Sequence, residues 1–277
     1  MCKKEFPYNI TASIVVYNND EVMLRRAIAS FQATSFNRKL YLVDNSPSSK
    51  LKLLATDTVE YIHNPLNPGF GAGHNIAIKK AICEARYHLI LNPDIFFDEG
   101  SLEKIIEYLD ANENVGILMP KVLYPNGETQ YLAKLLPRPF DFIVRRFLPF
   151  KKMRQKIDDK FELRKSNYDK IMEVPFLSGC FLVYRTEAFE KVGGFDENIF
   201  MYTEDIDLCR RVIQAGYKSI FYPEAVVFHD HVKKSFSDLR TFKVYLRSAI
   251  YYFNKWGWFF DRERSNINKT TLSQIKP

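Results

Sequence analysis

The sequence predicts an α/β protein in which a mostly parallel sheet is covered by helices on both faces. In the first half of the chain, short apolar runs alternate with segments whose apolar residues recur at helical spacing. Strands that alternate with helices form parallel sheets buried on both sides. With 277 residues, 46% of them hydrophobic and 26% charged, the chain is long enough for one large domain with appendages.

The first strand and the first helix illustrate the pattern. Residues 12–18, ASIVVYN, form an apolar run that predicts a strand. Residues 20–34 begin with Asp20, a favoured helix cap, and then carry Leu24, Ala27 and Phe31 on one face. The same reasoning predicts further strands at 39–46, 59–64, 88–92 and 178–185, and further helices at 74–85, 98–112 and 204–215.

The helix at 204–215 has clear boundary signals, since Thr203 suits a cap and Gly216 a stop. The region of about 128–172 has no clean periodicity and predicts an inserted loop or short helices. Its residues 145–170 hold ten Lys or Arg and four Asp or Glu, a net +6 that nearly equals the net +7 of the whole chain. These charges are interleaved with Phe residues, which favours an anionic membrane surface or a solvated basic loop.

The tail, 236–277, is predicted to be helical and rich in aromatic residues. Trp256 and Trp258 lie there beside Lys255 and Arg262, a composition typical of an interfacial membrane anchor. A helix packed on the domain's own core would also be aromatic. We therefore expect one large α/β domain at 1–235 that contains the basic insertion, followed at 236–277 by a helical tail that either associates with a membrane or packs on that domain.

The overall composition indicates which kinds of ligand and location are expected. A pI of about 9.0 favours an anionic ligand or surface. The four cysteines are widely spaced and form no zinc motif, which is typical of reduced thiols in a cytoplasmic protein. Neither a signal peptide nor an apolar run of roughly 18 to 20 residues is present, so a soluble or peripherally bound protein is expected.

Polar residues follow the predicted strands, and in parallel sheets ligands bind beyond the carboxyl ends of the strands. Each of these residues is also compatible with an ordinary turn. Asn92 and Asp94 lie two apart, so on an extended chain they would address one ligand together. The residues at the four strand ends are Tyr17, Asn18, Asn19, Asp44, Asn45, Ser46, Asn64, Asn92 and Asp94.

A second acidic group, Glu204, Asp205 and Asp207, opens the helix at 204–215. Carboxylates are favoured in a first helical turn by the helix dipole, so the cluster is also compatible with a structural role. Sugar transfer from a nucleotide diphosphate needs a cation held at the leaving group and a base for the attacking hydroxyl. Asp94 suits the first of these functions and Asp205 the second.

The chain resembles glycosyltransferase family 2, specifically its rhamnosyltransferase-type branch for bacterial surface polysaccharides such as O-antigen. The resemblance covers about residues 10–235 and rests on the order and spacing of several motifs. They are SIVVYN, LVDNS, NPGFGAGHNIAI, LILNPDIFF, SGCFLVYR, GGFDENIFMYTEDIDLCRRVIQAGY and HDHVKKS. It implies a Rossmann-like GT-A fold, a nucleotide-diphospho-sugar donor and inversion at the anomeric carbon.

The resemblance also implies roles for single residues. Tyr17, Asn18 and Asp44 are expected at the nucleoside, and Asn92 and Asp94 at the diphosphate, where many relatives have Asp-x-Asp. Asp205 is implied as the general base, with Glu204 on the acceptor side. The loop with Gly69, Gly71, Gly73 and Asn75 is expected to border the donor, at positions where backbone comes close to a ligand.

The cofactor implied is Mg2+ or Mn2+, with Asp94 and a histidine as protein contacts. His229 and His231 are both candidates, and His231 is preferred for its interval to Ser235. His63, His74 and His88 are expected to be structural, and Asp207 to support the helix or Arg210 and Arg211.

We therefore expect an inverting transferase that moves L-rhamnose from dTDP-L-rhamnose to a lipid-linked saccharide at the inner face of the cytoplasmic membrane, without nucleic acid as a partner. UDP-galactose, UDP-glucose and GDP-fucose are alternative donors. An inactive, membrane-bound sugar-nucleotide binder is the non-enzymatic alternative, and the intact TEDIDL segment argues against it. Nucleotidyl transfer would need a basic phosphate-binding loop near the N-terminus, which the sequence lacks.

Overall fold

The structure, a computed structural model, describes residues 5–142, 151–230 and 239–275. The strands are β1 (Tyr8–Val16), β2 (Arg38–Asp44), β3 (Val59–His63), β4 (Ala85–Leu91), β5 (Ile95–Phe96), β6 (Val115–Leu123), β7 (Ala133–Lys134), β8 (Met172–Glu173), β9 (Phe176–Leu177), β10 (Phe181–Arg185) and β11 (Lys218–His229). The helices are α1 (Glu21–Gln32), α2 (Phe70–Glu84), α3 (Ser101–Ala111), α4 (Pro139–Phe142), α5 (Lys151–Phe161), α6 (Thr186–Val192), α7 (Glu204–Gln214), α8 (Leu239–Trp256) and α9 (Arg262–Ser273).

One mixed sheet organises the fold, with its strands in the order β3-β2-β1-β4-β10-β6-β11-β5. The pairs β1 with β2, β1 with β4, β2 with β3 and β6 with β11 are parallel, whereas β10 runs antiparallel to both β4 and β6. The predicted α/β class with a mostly parallel sheet is therefore confirmed. The carboxyl ends of β1 to β4 lie at one edge, and the short β7–β9 ladder is separate.

Most predicted elements are present, with shifted ends. Asp20 caps α1 as predicted, because its carboxylate accepts hydrogen bonds from the Val22 and Met23 N–H groups. Helix α2 begins at Phe70 instead of residue 74, so the glycine loop becomes its first turn. The sequence patterns did not reveal β6, β11 or α6, although β6 and β11 occupy the half of the sheet that completes the site.

The basic insertion contains short elements rather than one long loop. It holds β7, α4, α5 and β8, and its residues 143–150 lie outside the described part of the chain. Helix α5 carries several of its exposed lysines and arginines. The expectation of short helices is met, while contact with a membrane stays a prediction.

Two buried histidines support the sheet next to the site. The Ser13 hydroxyl lies 2.7 Å from His74 Nδ1 and 2.8 Å from His88 Nε2, and Thr11 Oγ1 lies 2.8 Å from His88 Nδ1. Burial lowers the pKa of His74 well below its ordinary value and that of His88 to about 3, so both rings are neutral. This geometry agrees with the structural role expected for them.

The tail packs on the catalytic domain instead of forming a separate unit. Arg210 of α7 forms two hydrogen bonds with Asp261, which lies between α8 and α9, and both side chains are buried. The indole N–H groups of Trp256 and Trp258 donate to Asp207 and Asn254. Within the described residues, no helix has the length and apolar character needed to cross a membrane.

Candidate active site

The residues expected at the nucleoside lie where β1 and β2 end. Tyr17 is exposed beyond β1, and Asn18 adopts a left-handed conformation, with φ of 52°, which asparagine tolerates better than most residues. The Asn18 N–H donates to the Ser46 hydroxyl at 2.8 Å. The two strand ends are thereby tied together, and Tyr17 presents its ring to solvent at this edge.

Asp44 lies in the same place but is fully buried. Its Oδ1 accepts from the Ser46 N–H at 2.9 Å, and its Oδ2 accepts from the Tyr61 hydroxyl at 2.7 Å. Burial and the negative charge of Asp44 raise the pKa of Tyr61. The carboxylate therefore shapes the loop after β2, and its expected contact with a nucleoside stays a prediction.

In the glycine loop, the need for glycine comes from close packing against other parts of the protein, and the expected position of the loop beside the donor stays a prediction. A Cβ at Gly69 would lie 2.4 Å from the Phe200 carbonyl oxygen, and Gly69 also has a positive φ of 108°. A Cβ at Gly71 would lie 2.7 Å from the Phe195 Cβ, and one at Gly73 would lie 2.8 Å from Val15 Cγ1. The close approach at these glycines is therefore to the protein itself, and it lets α2 pack tightly beside the site.

Asn75 is likewise engaged by protein groups. Its side-chain oxygen accepts from the Phe195 N–H at 2.9 Å, and its amide nitrogen donates to the Phe195 carbonyl and to Glu197. Its expected contact with a donor stays a prediction. Asn75 fixes the segment 195–200, which leads to the acidic cluster.

Asn45 links the strand ends to the glycine loop. Its Nδ2 donates to the Gly69 carbonyl at 3.4 Å, and its Oδ1 accepts from Asn64 Nδ2 at 2.9 Å. From the sequence, Asn45 and Asn64 are predicted only to be polar residues at the ends of strands. Their shared network shows that the carboxyl ends of β2 and β3 are joined to the start of α2.

The segment with Asn92 and Asp94, which is expected at the diphosphate, is a turn and not an extended segment. The Ile95 N–H donates to the Asn92 carbonyl at 3.3 Å, so residues 92–95 close a turn. The extended-chain argument for Asn92 and Asp94 therefore does not apply, and their shared contact with one ligand stays a prediction. The local turn suggested by the Asn-Pro-Asp sequence is confirmed.

Asp94 faces His229 across the short β5–β11 pairing, in which Ile95 is the partner of His229. Asp94 Oδ1 lies 3.2 Å from His229 Nε2, and the Asp230 N–H donates to the Asp94 carbonyl at 2.9 Å. His229, the less favoured of the two histidine candidates, is therefore the one beside Asp94 in the described part of the chain. His231 lies outside the described residues.

The surroundings of His229 favour its charged form. Burial alone would lower its pKa, but hydrogen bonds to Asp94 and Cys180 outweigh burial and raise the pKa of His229 to about 10. Gln130 fixes the ring, because its amide nitrogen donates to the His229 carbonyl and its oxygen lies 3.0 Å from Nδ1. Sequence reasoning missed Gln130, since no motif marks it.

The segment Gly179–Cys180 connects the two acidic parts of the site. The Gly179 N–H donates to Asp205 Oδ2 at 3.1 Å, and the Cys180 carbonyl accepts from the Asn92 N–H at 2.8 Å. The Cys180 side chain is also one of the groups that raise the pKa of His229. Two adjacent residues thus join Asp205 to the Asn92–Asp94 turn and to His229, which places the predicted leaving-group and base functions in one site.

Glu204 and Asp205 are the first two residues of α7, and their side chains differ in exposure to solvent. Glu204 is buried, and among the described residues its Oε2 has no hydrogen-bond partner. Asp205 is partly exposed and accepts hydrogen bonds from the Gly179 and Ile206 N–H groups. A substrate hydroxyl can therefore reach Asp205 more easily than Glu204.

The same surroundings separate the pKa values of the two carboxyl groups. Burial and the neighbouring charge of Asp205 raise the pKa of Glu204. Burial also raises the pKa of Asp205, but the N–H groups of Gly179 and Ile206 and the charge of Lys134 act in the opposite direction. Asp205 consequently ionises before Glu204, as a general base should.

The start of α7 is held by the tail. Thr203 is the residue before the helix, but its hydroxyl donates to the Ser248 carbonyl of α8 at 3.3 Å and does not cap α7, contrary to expectation. Tyr202 has a φ of 92°, a strained conformation for a bulky residue, directly before the acidic cluster. Asp207 supports Arg211 as expected, at 2.8 Å, whereas Arg210 instead binds Asp261.

The donor set for a metal ion is small. Within 5–142, 151–230 and 239–275, no three His, Cys, Asp or Glu side chains converge on one point. Asp94 and His229 are adjacent and supply one oxygen and one nitrogen ligand. This pair fits a hard or borderline divalent ion that takes its remaining ligands from substrate phosphates or water.

The sheet order, the polar carboxyl edge and the carboxylates at the start of α7 together define a glycosyltransferase with the GT-A fold. A model of the family described as Glycosyl transferase family 2 matches residues 11–193, and a second, described as N-terminal domain of galactosyltransferase, matches residues 160–235. Because the first match covers most of the chain, the protein belongs to glycosyltransferase family 2.

Curated relatives place it with the rhamnosyltransferase-type branch. It is 28% identical to Rhamnosyltransferase WbbL of Escherichia coli (strain K12), with 95% of this chain and 97% of the relative covered. It is 25% identical to O-antigen chain rhamnosyltransferase RfbN of Salmonella typhimurium, over 88% of this chain and 72% of that one. N-acetylglucosaminyl-diphospho-decaprenol L-rhamnosyltransferase of Mycobacterium tuberculosis is 32% identical, over 51% of this chain and 46% of its own length.

Solved structures show the same fold. GalNAc-T7 with UDP, GalNAc and Mn2+ has a TM-score of 0.64 at 16% identity, covering 83% of this chain and 45% of that one. The mannosyltransferase PcManGT from Pyrobaculum calidifontis, in complex with GDP-Man and Mn2+, has a TM-score of 0.56 at 14% identity, covering 83% and 59%. Both of these structures contain a nucleotide or nucleotide sugar and Mn2+.

Proposed function

We propose that the protein is an inverting rhamnosyltransferase that moves L-rhamnose from dTDP-L-rhamnose to a lipid-linked saccharide in bacterial surface polysaccharide synthesis. The three relatives are named as rhamnosyltransferases, which supports rhamnose, and the name of one includes a diphospho-decaprenol acceptor. The observation that carries the reaction type is the junction at Gly179–Cys180, which connects Asp205 to Asp94 and His229.

The reaction is a single displacement at the anomeric carbon. Asp205 accepts the proton of an acceptor hydroxyl while the hydroxyl oxygen bonds to the anomeric carbon from the face opposite the nucleotide. The bond from that carbon to the diphosphate oxygen breaks, and dTDP leaves with the bonding electrons. Glu204, which stays protonated longer, is a hydrogen-bond donor or acceptor on the acceptor side.

We assign the cation site to Asp94 and His229, with Mg2+ or Mn2+ as the ion. Asp94 and His229 would hold the ion, which when bound would supply positive charge next to the departing diphosphate. A ligating imidazole has to be neutral, so His229 must lose the proton that Asp94 favours before it binds an ion. Tyr17, Asn18 and Asp44 form the nucleoside side of the pocket, and the Gly69–Gly73 turn borders it.

The location that suits this acceptor is the inner face of the cytoplasmic membrane. Phe259 and Phe260, between α8 and α9, are 78% and 100% exposed. Arg262 follows them, and cations beside exposed aromatic residues favour an anionic lipid surface. These two phenylalanines, and not the half-buried tryptophans, are the tail residues best placed to enter a membrane interface.

A donor screen tests this function. Purified protein is mixed with dTDP-rhamnose, UDP-galactose, UDP-glucose or GDP-fucose and a lipid-linked saccharide, and release of the nucleoside diphosphate is measured. We expect dTDP-rhamnose to give the highest turnover. Preference for a UDP- or GDP-sugar would retain the family but reject rhamnose.

The base is tested by Asp205→Asn, with Asp57→Asn at an exposed position as the matched control. Removing a general base slows the reaction by about 100-fold to 10,000-fold, so transfer should fall by that factor while donor binding is retained. The control should behave as the original protein. Undiminished turnover in Asp205→Asn would show that another group takes the proton.

A further inference from the structure

A cleft of about 530 Å3 lies between α5, α9 and the segment 135–141. This size lies within the range of small-molecule sites, roughly 300 to 1,000 Å3. Asn268 holds one wall in place, because its amide exchanges two hydrogen bonds of 2.9 Å with the Leu136 backbone. The apolar side chains of the cleft are Leu135, Leu136, Ile157, Phe161 and Leu272.

The rim of this cleft is strongly basic. Arg138, Lys156, Lys160 and Lys269 line it, all four exposed, and Asp141 is the acidic residue among its lining residues. In the described part of the chain, none of the four cations forms an ion pair with a carboxylate. Elsewhere on the surface, cations such as Lys80 do pair with a neighbouring carboxylate, at 2.6 Å. The cleft thus combines an apolar interior with a net positive rim.

The cleft is close to the acceptor side of the active site. The Gly179 N–H donates to Asp205 Oδ2 at 3.1 Å, and Leu177, two residues before Gly179, pairs with Ala133, the neighbour of Lys134 in β7. Leu136 follows two residues later, so its Cα lies at most about 7 Å from that of Lys134. A ligand held in the cleft can therefore extend a sugar toward Asp205.

The other end of the cleft opens toward the exposed phenylalanines. Ser265 and Lys269 line both this cleft and the neighbouring depression that contains Phe259 and Phe260. The apolar interior, the cations and the two phenylalanines consequently form one continuous surface. An amphiphile that leaves a membrane at Phe259 and Phe260 would meet the cleft next.

We propose that this cleft binds the diphosphate and the first isoprenoid units of the lipid carrier of the acceptor. The inference rests on the proposed lipid-linked acceptor and adds the place where its carrier is held. A diphosphate that links a lipid to a sugar has two negative charges, which complement the four cations. The isoprenoid chain next to it is apolar and matches the aliphatic and aromatic interior.

The experiment measures binding of farnesyl diphosphate to the full-length protein by calorimetry, with no donor present. The cleft variant K156Q/K160Q/K269Q is compared with K52Q/K104Q/K165Q, which removes the same charge at exposed positions outside the cleft. We expect the Kd to rise by about tenfold in the cleft variant, equivalent to about 1.4 kcal/mol, and to change little in the control. Inorganic pyrophosphate, which lacks the apolar part, should compete poorly.

Three results would overturn the assignment. Equal affinity in the original protein and the cleft variant would show that the rim is not used. Equal weakening in the control would indicate a general effect of net charge. Equally effective competition by pyrophosphate or by phosphatidylglycerol vesicles would indicate a phosphate site or a general lipid surface.

Failure here is distinguishable from failure of the proposed function. The binding assay needs neither donor nor turnover, so it gives an answer even if no sugar nucleotide is used. Conversely, if the donor screen identifies dTDP-rhamnose and farnesyl diphosphate fails to bind, the function stands and only the cleft assignment is lost.

Discussion

Replacing Asp261 by alanine should destabilise the catalytic domain, although Asp261 lies far along the tail. Its two oxygens bind Arg210 Nη1 and Nη2 at 2.6 and 2.9 Å, and the side chains are only 3% and 2% exposed. Asp261 also caps α9 by accepting from the Arg264 N–H. Arg210 is on α7, the helix that begins with Glu204 and Asp205, so the pair connects the tail to the proposed base.

The size of the effect follows from what the substitution leaves behind. Breaking a buried ion pair by removing one partner costs about 3 to 5 kcal/mol, because the other charge stays buried. Losing the cap adds about 0.5 to 2 kcal/mol. Glu263 still contacts Arg210 at 2.7 Å and offsets part of this loss, so we expect Asp261→Ala to lower the free energy of unfolding by about 3 kcal/mol.

Glu263→Gln is the matched control. Its side chain is 41% exposed, so solvent screens its attraction to Arg210, and its loss should cost less than about 1 kcal/mol. Urea unfolding followed by circular dichroism measures both variants. If Asp261→Ala lowered the free energy of unfolding no more than Glu263→Gln does, the reasoning would be refuted, because the buried ion pair would then contribute no more stability than the exposed one.

Three further predictions concern the site and the surface. Burial raises the pKa of Glu204, so ionisation of Glu204 destabilises the fold as pH rises above the ordinary glutamate pKa of about 4.3. In urea titrations at rising pH, Glu204→Gln should therefore become increasingly more stable than the original protein. A difference in stability that does not change with pH would contradict this prediction. A chelator should abolish sugar transfer, and added Mn2+ should restore it. The variant His229→Ala should need about 10-fold to 100-fold more Mn2+ for the same activity. Activity that resists the chelator would reject the cation site. Phe259→Ser with Phe260→Ser should reduce flotation with anionic vesicles and leave donor binding unchanged, whereas unaltered flotation would rule out these residues as the membrane contact.

The packing of the tail on α7 also means that truncation at Phe253 is a poor test of the membrane role predicted for the tail. A deletion from Phe253 onward would remove Trp256, which donates to Asp207, as well as Asp261. Such a deletion would expose the buried Arg210 and destabilise α7. Loss of membrane binding in that truncated protein would not separate an anchor from a folding defect, and the two phenylalanine substitutions do.

Local sequence patterns predicted much of the sheet and the position of the acidic residues. Asp20 and the apolar spacing after it identified α1, and alternating apolar runs identified β1 to β4. The patterns failed where tertiary contacts decide the structure: β6 and β11 lie in the half of the sheet that encloses Asp94, but neither was predicted. His231 was favoured over His229 because spacing was the only guide, and the described structure places His229 beside Asp94 through the β5–β11 pairing.

By itself, the sequence determined the α/β class, the mostly parallel character of the sheet and the two acidic segments at Asp94 and Asp205, because periodicity and turn chemistry are local properties. Only the tertiary structure decided which groups meet. Gly179 and Cys180 join the two segments through their own backbone N–H and carbonyl groups, which leave no mark in side-chain identity. The tail binds α7 through an ion pair between residues 51 positions apart. Contacts between residues so far apart depend on how the helices pack on the sheet, and no local pattern encodes that packing.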